Sequence, residues 1–128
     1  MSYCMSKVVI GSFDEAVART VESLKKEGFG VLTEIDVKET LKKKLDVDFR
    51  KYRILGACNP PFAYQALQAE DRIGVLLPCN VIIQEYADGR VEVATIDPIT
   101  SMQATGNARL EPYAQQVHDK LAKVLADL

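Results

Sequence analysis

The feature that most restricts the fold of this chain is a tight turn, "YADGR", between apolar segments at residues 73–86 and 90–97. The Asp-Gly pair is typical of a β-hairpin, with Gly89 in the left-handed conformation that glycine favours. Pairing Tyr86 with Arg90 sets the register. Counting outward, the opposed pairs are Ile83 with Val93, Val81 with Thr95, and Cys79 with Asp97. This register places apolar side chains on one face, as expected for a half-buried antiparallel sheet.

A proline interrupts the first of these two segments. Residues 73–86 are too many for one flat strand, and Pro78 has no amide hydrogen to donate to a sheet ladder. The sequence therefore predicts that this strand lies at a sheet edge or carries a bulge at Pro78, with a bend near Cys79.

The N-terminal third predicts a strand, "KVVIGS", followed by a long amphipathic helix. Ser12 and Glu15 have the spacing of a capping box, and Gly28 is placed to end the helix in the left-handed conformation. The apolar stripe has the i, i+3, i+4, i+7 spacing of one buried helix face. Its members are Phe13, Ala16, Val17, Thr20, Val21 and Leu24.

Two further strand-helix units follow. The segment "FGVLTEIDV" is a predicted strand, and Asp36 is the predicted N-cap of a short helix with a solvated lysine-rich end. "FRKYRILGACN" is the next predicted strand. Asn59 then caps a helix that begins with Pro60 and Pro61, where a missing amide hydrogen costs little. Its predicted inner face consists of Phe62, Ala63, Ala66 and Leu67.

The C-terminal part consists of a predicted irregular stretch, 98–111, and a terminal amphipathic helix that begins at Pro112. The whole pattern is β-α-β-α-β-α-β-β-α. It predicts an α+β fold in which helices cover one face of a largely antiparallel sheet. Without a repeat or linker-like tract, residues 1–128 are interpreted as a single domain.

Composition narrows the class of protein. The chain has 128 residues, 48% of them hydrophobic, which is enough for a core without metal or disulfide staples. A net charge of −2 gives no basic field for nucleic acid, and no apolar run is long enough for a membrane span. Three cysteines in such a chain indicate free thiols in a reducing compartment. We therefore expect a cytoplasmic protein that binds neither nucleic acid nor membrane.

A Cys-Asn pair occurs twice, in "LGACNPPFAYQAL" and in "LLPCNV". Cys58 precedes a predicted helix N-terminus, where amides and the helix dipole favour a thiolate, so it is a candidate nucleophile or soft-metal ligand. Cys79 has the same two possible roles. The alternative is that both cysteines pack as small apolar residues, and the spacing of the pair matches neither a CxxC redox motif nor a zinc pattern.

Three other side chains are candidates with structural alternatives. Asp97 precedes a proline and is a candidate to accept a proton or bind a metal, although Asp-Pro is also a common strand-ending turn. Glu85 is an ordinary strand position for a charged residue. His118, the only histidine, lies at the margin of the apolar stripe of the last helix, which is more typical of a packing role than of a catalytic base.

The chain resembles the small bacterial and archaeal family known as domain of unknown function 302. The resemblance rests on the two Cys-Asn motifs, with Gly56 and Pro60 around the first and Pro78 before the second, and on Glu85 and the Asp97-Pro98 pair. It implies a curved antiparallel sheet backed by helices, similar to the arrangement of TATA-binding protein, and a homodimer. It implies no DNA binding and no settled activity.

Three hypotheses for function follow. In the first, the protein is a dimeric, non-enzymatic domain that binds a small ligand or a soft metal near the two Cys-Asn motifs. Its site residues are Cys58 and Cys79 as metal ligands, with Asn59, Asn80, Asp97 and Glu85 as ligand-binding residues. In the second, it is a thiol enzyme for sulfur transfer or disulfide chemistry, with Cys58 as catalytic nucleophile and Cys79 as resolving thiol. In the third, both motifs are structural and the protein works through a partner surface.

Overall fold

The computed structural model describes residues 2–128 and contains a five-stranded antiparallel sheet. The strands are β1 (Cys4–Val9), β2 (Gly30–Asp36), β3 (Tyr52–Cys58), β4 (Cys79–Glu85) and β5 (Val91–Ile96). The helices are α1 (Phe13–Lys26), α2 (Val37–Leu45), α3 (Pro60–Ala69), α4 (Pro98–Gln103) and α5 (Glu111–Ala126). The strand order is β1-β5-β4-β3-β2, so β1 and β2 are the two edges. The predicted α+β class is confirmed.

The hairpin of β4 and β5 has the predicted register. Val81 pairs with Thr95 and Ile83 with Val93, and Gly89 has a φ of +91°. The ladder between these strands does not extend to Cys79 and Asp97, so that predicted pair is wrong. On the side away from β5, Cys79 pairs with Ala57 of β3, and on the side away from β4 the Asp97 amide donates to the Tyr3 carbonyl at 2.8 Å.

The expectation that Pro78 marks a sheet edge or a bulge is also wrong, whereas the predicted bend is present, at Pro78 itself. The strand that follows it, β4, is central, between β3 and β5. Pro78 stands just before the first residue of β4, after a cis Leu77–Pro78 bond, so the ladder needs no amide from it. Residues Ile73–Leu76 form a short 3-10 turn instead of extending the strand. The register shift lies elsewhere, in β2 between Val31 and Thr33.

Helix α1 begins and ends as predicted. The Ser12 hydroxyl accepts from the Glu15 amide at 3.1 Å, the Glu15 carboxylate accepts from the Ser12 amide at 3.2 Å, and Gly28 has a φ of +83°. Together with α5, this helix packs on one face of the sheet. The main core lies between them and consists largely of Phe13, Leu24, Leu55, Val81, Ile83, Val93, Leu121 and Val124.

Successive side chains of a strand point to opposite faces of the sheet, so the residues between those that face the core lie on the other face. It carries Ser6 and Val8 of β1, Ile54 and Gly56 of β3, and Ile82 of β4. Helix α2 has no buried residue. The segment after α2 reaches this face, where Arg50 Nε donates to Gln84 Oε1 at 2.9 Å.

The stretch 98–111 is more regular than the sequence indicates. It contains α4 and a 3-10 turn at Ala108–Leu110, so the expectation of an irregular segment is wrong. Asp97 caps α4, because its Oδ1 accepts from the Ile99 amide at 3.0 Å. Within residues 2–128, no helix combines the length and the apolar character needed to cross a bilayer.

Candidate functional site

An apolar cavity of about 280 Å³ lies at the end of the sheet where β3 finishes and β4 begins. It is bounded by the main core on one side and by a second apolar cluster, which includes Ala66 and Met102, on the other. Nearly all of its surface is carbon. The lining residues are Phe29, Leu32, Ala57, Cys58, Asn59, Phe62, Ala63, Ala66, Leu67, Leu77, Pro78, Cys79, Met102, Tyr113 and Val117.

Helix α3 forms one wall of this cavity. The face that the sequence predicts as its inner face lines the cavity, but only Ala66 among the α3 residues is fully buried. Ala63 and Ala66 are too small to fill the space in front of them, which leaves room for another molecule. The exposed side chains of Leu32 and Leu67 lie at its rim and make the entrance apolar as well.

Cys58 and Cys79 both line the cavity, although 20 residues separate them in the sequence. The fold brings them together because Cys79 pairs with Ala57, the neighbour of Cys58. Burial, and secondarily the charge of the Cys58 thiolate, raises the pKa of Cys79 from 9.0 to about 11. Cys79 is therefore a neutral thiol at pH 7, which counts against a role as a thiolate.

The surroundings of Cys58 also differ from those expected for an activated nucleophile. The helix that follows it begins with Pro60 and Pro61, and proline has no amide hydrogen. Of the first three residues of α3, only Phe62 has an amide to direct toward an anion. The anion-binding capacity of this helix N-terminus is correspondingly reduced.

The two asparagines have different surroundings. Asn59 is buried, lines the cavity, and donates from Nδ2 to the Glu27 carbonyl at 3.1 Å. Its side chain does not cap α3, contrary to the sequence prediction. It links the beginning of α3 to the end of α1. Asn80 is exposed, and alternation directs it to the face of the sheet opposite Cys79, so it does not line the cavity.

Asp97 lies outside the cavity and forms a pair with the histidine. Its Oδ1 is 3.1 Å from His118 Nδ1, and the same oxygen accepts from the Ile99 amide. Both side chains are partly buried. This pair connects the end of β5 and the start of α4 to α5, which gives His118 a packing role.

Glu85 is also remote from the cavity. It stands at the other end of β4 from Cys79, six residues away, which corresponds to about 20 Å along an extended chain. It lines a separate open groove with Lys38, Arg50 and Lys51. The fold thus separates Glu85, Asp97 and Asn80 from the two thiols.

The sequence also predicts that Cys58 and Cys79 are ligands of a soft metal. Within residues 2–128, no group of three His, Cys, Asp or Glu side chains is placed to hold a metal ion. Two thiols line the cavity together with the thioether of Met102. Any metal held there would be a soft one, since thiolate and thioether sulfur favour copper(I).

Sequence reasoning missed several lining residues. Met102 falls in the stretch that was expected to be irregular, and Leu77 in the segment expected to be strand. Tyr113 and Val117 of α5 line the cavity together with Ala63 and Ala66 of α3, and the cavity arises because these two helices lie side by side there. That juxtaposition depends on tertiary packing and has no local pattern.

Known proteins that are similar to this chain have the same fold. A family model described as "Domain of unknown function DUF302" matches residues 5–128. The chain is similar to the crystal structure of an uncharacterized conserved DUF302 protein from Bacillus stearothermophilus, with a TM-score of 0.93 and 29% sequence identity. That alignment covers 99% of this chain and 98% of the other. No curated protein matches the chain. With a matching family model over nearly its whole length, the chain belongs to the DUF302 family.

Proposed function

We propose that this protein binds a small apolar molecule in the cavity between β3, β4, α3 and α5. The observation that supports the proposal is the cavity itself, which has carbon on almost every wall and an entrance rimmed by exposed leucines. Ligand pockets in proteins are mostly apolar, with a small number of polar groups that orient the ligand.

The size of the cavity restricts the ligand. An engineered apolar cavity of about 150 Å³ takes up benzene, and this cavity has about 280 Å³. A bicyclic aromatic molecule or a short branched hydrocarbon chain therefore fits. Among the lining residues, Cys58, Asn59 and Tyr113 carry the polar groups that are candidates to orient one polar substituent.

The proposal is tested by titration with 1-aminonaphthalene, whose fluorescence depends on the polarity around it. We expect saturable binding to the natural protein. Ala63→Leu should weaken it at least about tenfold, because the larger side chain occupies part of the cavity. Ala18→Leu, at an exposed position of α1, is the matched control and should bind as the natural protein does. Absence of saturable binding, or equal affinities for all three proteins, would contradict the proposal.

A second candidate is binding of copper(I), supported by the three sulfur atoms of Cys58, Cys79 and Met102 around one cavity. Binding would displace the thiol protons, since thiolates are the ligands. In an anaerobic titration against a colorimetric copper(I) chelator, the natural protein should retain about one equivalent per chain. A Cys58→Ser/Cys79→Ser variant, which keeps Cys4, should retain none. Equal uptake by both proteins would exclude this candidate.

A further inference from the structure

The outer edge of β1 has no strand beside it, because β1 is the first strand in the order β1-β5-β4-β3-β2. Its residues Met5, Lys7 and Val9 direct their backbone groups toward β5. This follows from the bond of the Asp97 amide to the Tyr3 carbonyl, since hydrogen-bonded residues alternate along an antiparallel ladder. The amides and carbonyls of the intervening residues point away from the sheet. These are Cys4, Ser6 and Val8.

Only the first of these outward residues has a partner among residues 2–128. The Ser2 hydroxyl donates to the Cys4 carbonyl at 2.7 Å and accepts from its amide at 3.3 Å. The outward amides and carbonyls of Ser6 and Val8 make no hydrogen bond within the described part of the chain. They form a template for another strand.

Sheet edges of soluble proteins are usually protected by a bulge, a proline or charged side chains. Strand β1 has a regular register with β5, no proline, and Lys7 as its only charge. Apolar side chains on and beside it are exposed: Tyr3 is 72% exposed, Val8 51% and Ile10 90%.

The opposite edge is different. Strand β2 has a register shift between Val31 and Thr33. It also carries two carboxylates, Glu34 and Asp36, which both form ion pairs with Arg53. Irregular register and negative charge both disfavour pairing with a second chain. The sheet therefore has one protected edge and one unprotected edge.

We propose that β1 pairs in antiparallel orientation with β1 of a second copy of this chain, about a two-fold axis at Ser6. A two-fold axis is the commonest symmetry of homo-oligomers, and it makes an antiparallel pair of identical strands self-complementary. This register pairs Ser6 with its copy and Val8 with Cys4 of the copy, whose outward groups then bond to the second strand in place of the Ser2 hydroxyl. The two sheets then form one continuous sheet.

Repulsion between lysines favours this register over the one in which the axis is shifted by one residue. With the axis at Ser6, Lys7 stands opposite Met5 of the copy. Moving the axis to Lys7 places two lysines directly opposite one another, which is unfavourable. This interface uses the edge of β1 and no residue that lines the cavity, so it is independent of the proposed ligand site.

A cysteine at the axis tests the pairing. Residues in a hydrogen-bonded antiparallel pair have Cα atoms about 5.5 Å apart, which is within the range of a disulfide. We expect Ser6→Cys to form a covalent dimer rapidly under mild oxidation, with peptide mapping locating the bridge between the two copies of residue 6. The control is Ile35→Cys on the opposite edge strand, which should cross-link at least about tenfold more slowly. Equal rates for the two variants would overturn the proposal, as would a bridge through Cys4.

A second variant removes the pairing without removing a bond of the sheet. The Ser6 amide points outward, so Ser6→Pro leaves the ladder between β1 and β5 complete. By sedimentation velocity, the natural protein should be a dimer and the Ser6→Pro variant a monomer with unchanged circular dichroism. A monomeric natural protein, or a folded Ser6→Pro dimer, would overturn the proposal.

Discussion

Replacing Gly56 with alanine is expected to lower the free energy of unfolding by roughly 3 kcal/mol or more. A Cβ at this position in β3 would lie 2.1 Å from Thr33 Oγ1 and 2.7 Å from Pro78 Cγ. Neither atom is at the end of a flexible side chain. Because Pro78 also lines the cavity, the same substitution should change the shape of the proposed ligand site.

Urea unfolding followed by circular dichroism measures the effect. Gly74→Ala is the matched control, because a Cβ there meets nothing within 4 Å, and its stability should change little. In the double variant Thr33→Ala/Gly56→Ala, one of the two close contacts is removed. It should therefore recover part of the lost stability, while the contact with Pro78 remains. A Gly56→Ala protein as stable as the Gly74→Ala control would contradict the packing described around Gly56.

The second large effect concerns Cys79 and alkaline pH. Its pKa is raised from 9.0 to about 11 in the folded protein, first by burial and then by the Cys58 thiolate. The folded chain thus keeps this proton more tightly than the unfolded chain does. The resulting stabilisation is fully present below about pH 9 and is lost as the pH rises to about 11. Its size is about 2 to 3 kcal/mol, from the conversion of pKa differences into free energy.

Comparison with Cys79→Ala isolates this contribution from the other groups that titrate in alkali. The stability difference between the natural protein and the variant should shrink by about 2 to 3 kcal/mol between pH 9 and pH 11. Alkylation gives an independent measurement. At pH 7, Cys79 should react about a hundredfold more slowly in the folded protein than in urea, because the thiolate fraction is that much smaller. A constant stability difference together with equal alkylation rates would show that Cys79 is not held as a neutral thiol.

Local patterns in the sequence were sufficient for the elements that depend on local chemistry. The capping box at Ser12 and Glu15 fixes the start of α1, and the Asp-Gly turn fixes the register of the hairpin. Both predictions were confirmed because neighbouring residues supply the interactions.

Two of the wrong predictions have a common origin, since both concern where a strand lies relative to other strands. Pro78 was expected to mark an edge or a bulge, but the strand begins after it and lies at the centre of the sheet. The predicted pair of Cys79 with Asp97 failed because the ladder between β4 and β5 ends at Val81 and Thr95, and Asp97 lies beyond β5 as the N-cap of α4. Strand order is a property of the whole fold.

The candidate site was predicted in part. The sequence indicated Cys58, Cys79 and Asn59, which the fold places around one cavity. The sequence did not indicate that Asn59 lines the cavity and Asn80 does not, because the two Cys-Asn motifs look alike. Strand alternation directs Asn80 to the opposite face of the sheet. The sequence showed no sign of an apolar cavity, which arises from two alanines of α3 facing α5 and Met102.

The most direct test of the proposed function is to locate a bound apolar molecule by nuclear magnetic resonance. 1-Aminonaphthalene would be titrated into protein with labelled alanine methyl groups. The account predicts saturable shifts for Ala57, Ala63 and Ala66, which line the cavity, and none for Ala18 and Ala126, which lie on exposed helix surfaces. Unchanged resonances at the three cavity alanines, or shifts confined to Ala94 on the opposite face of the sheet, would contradict it.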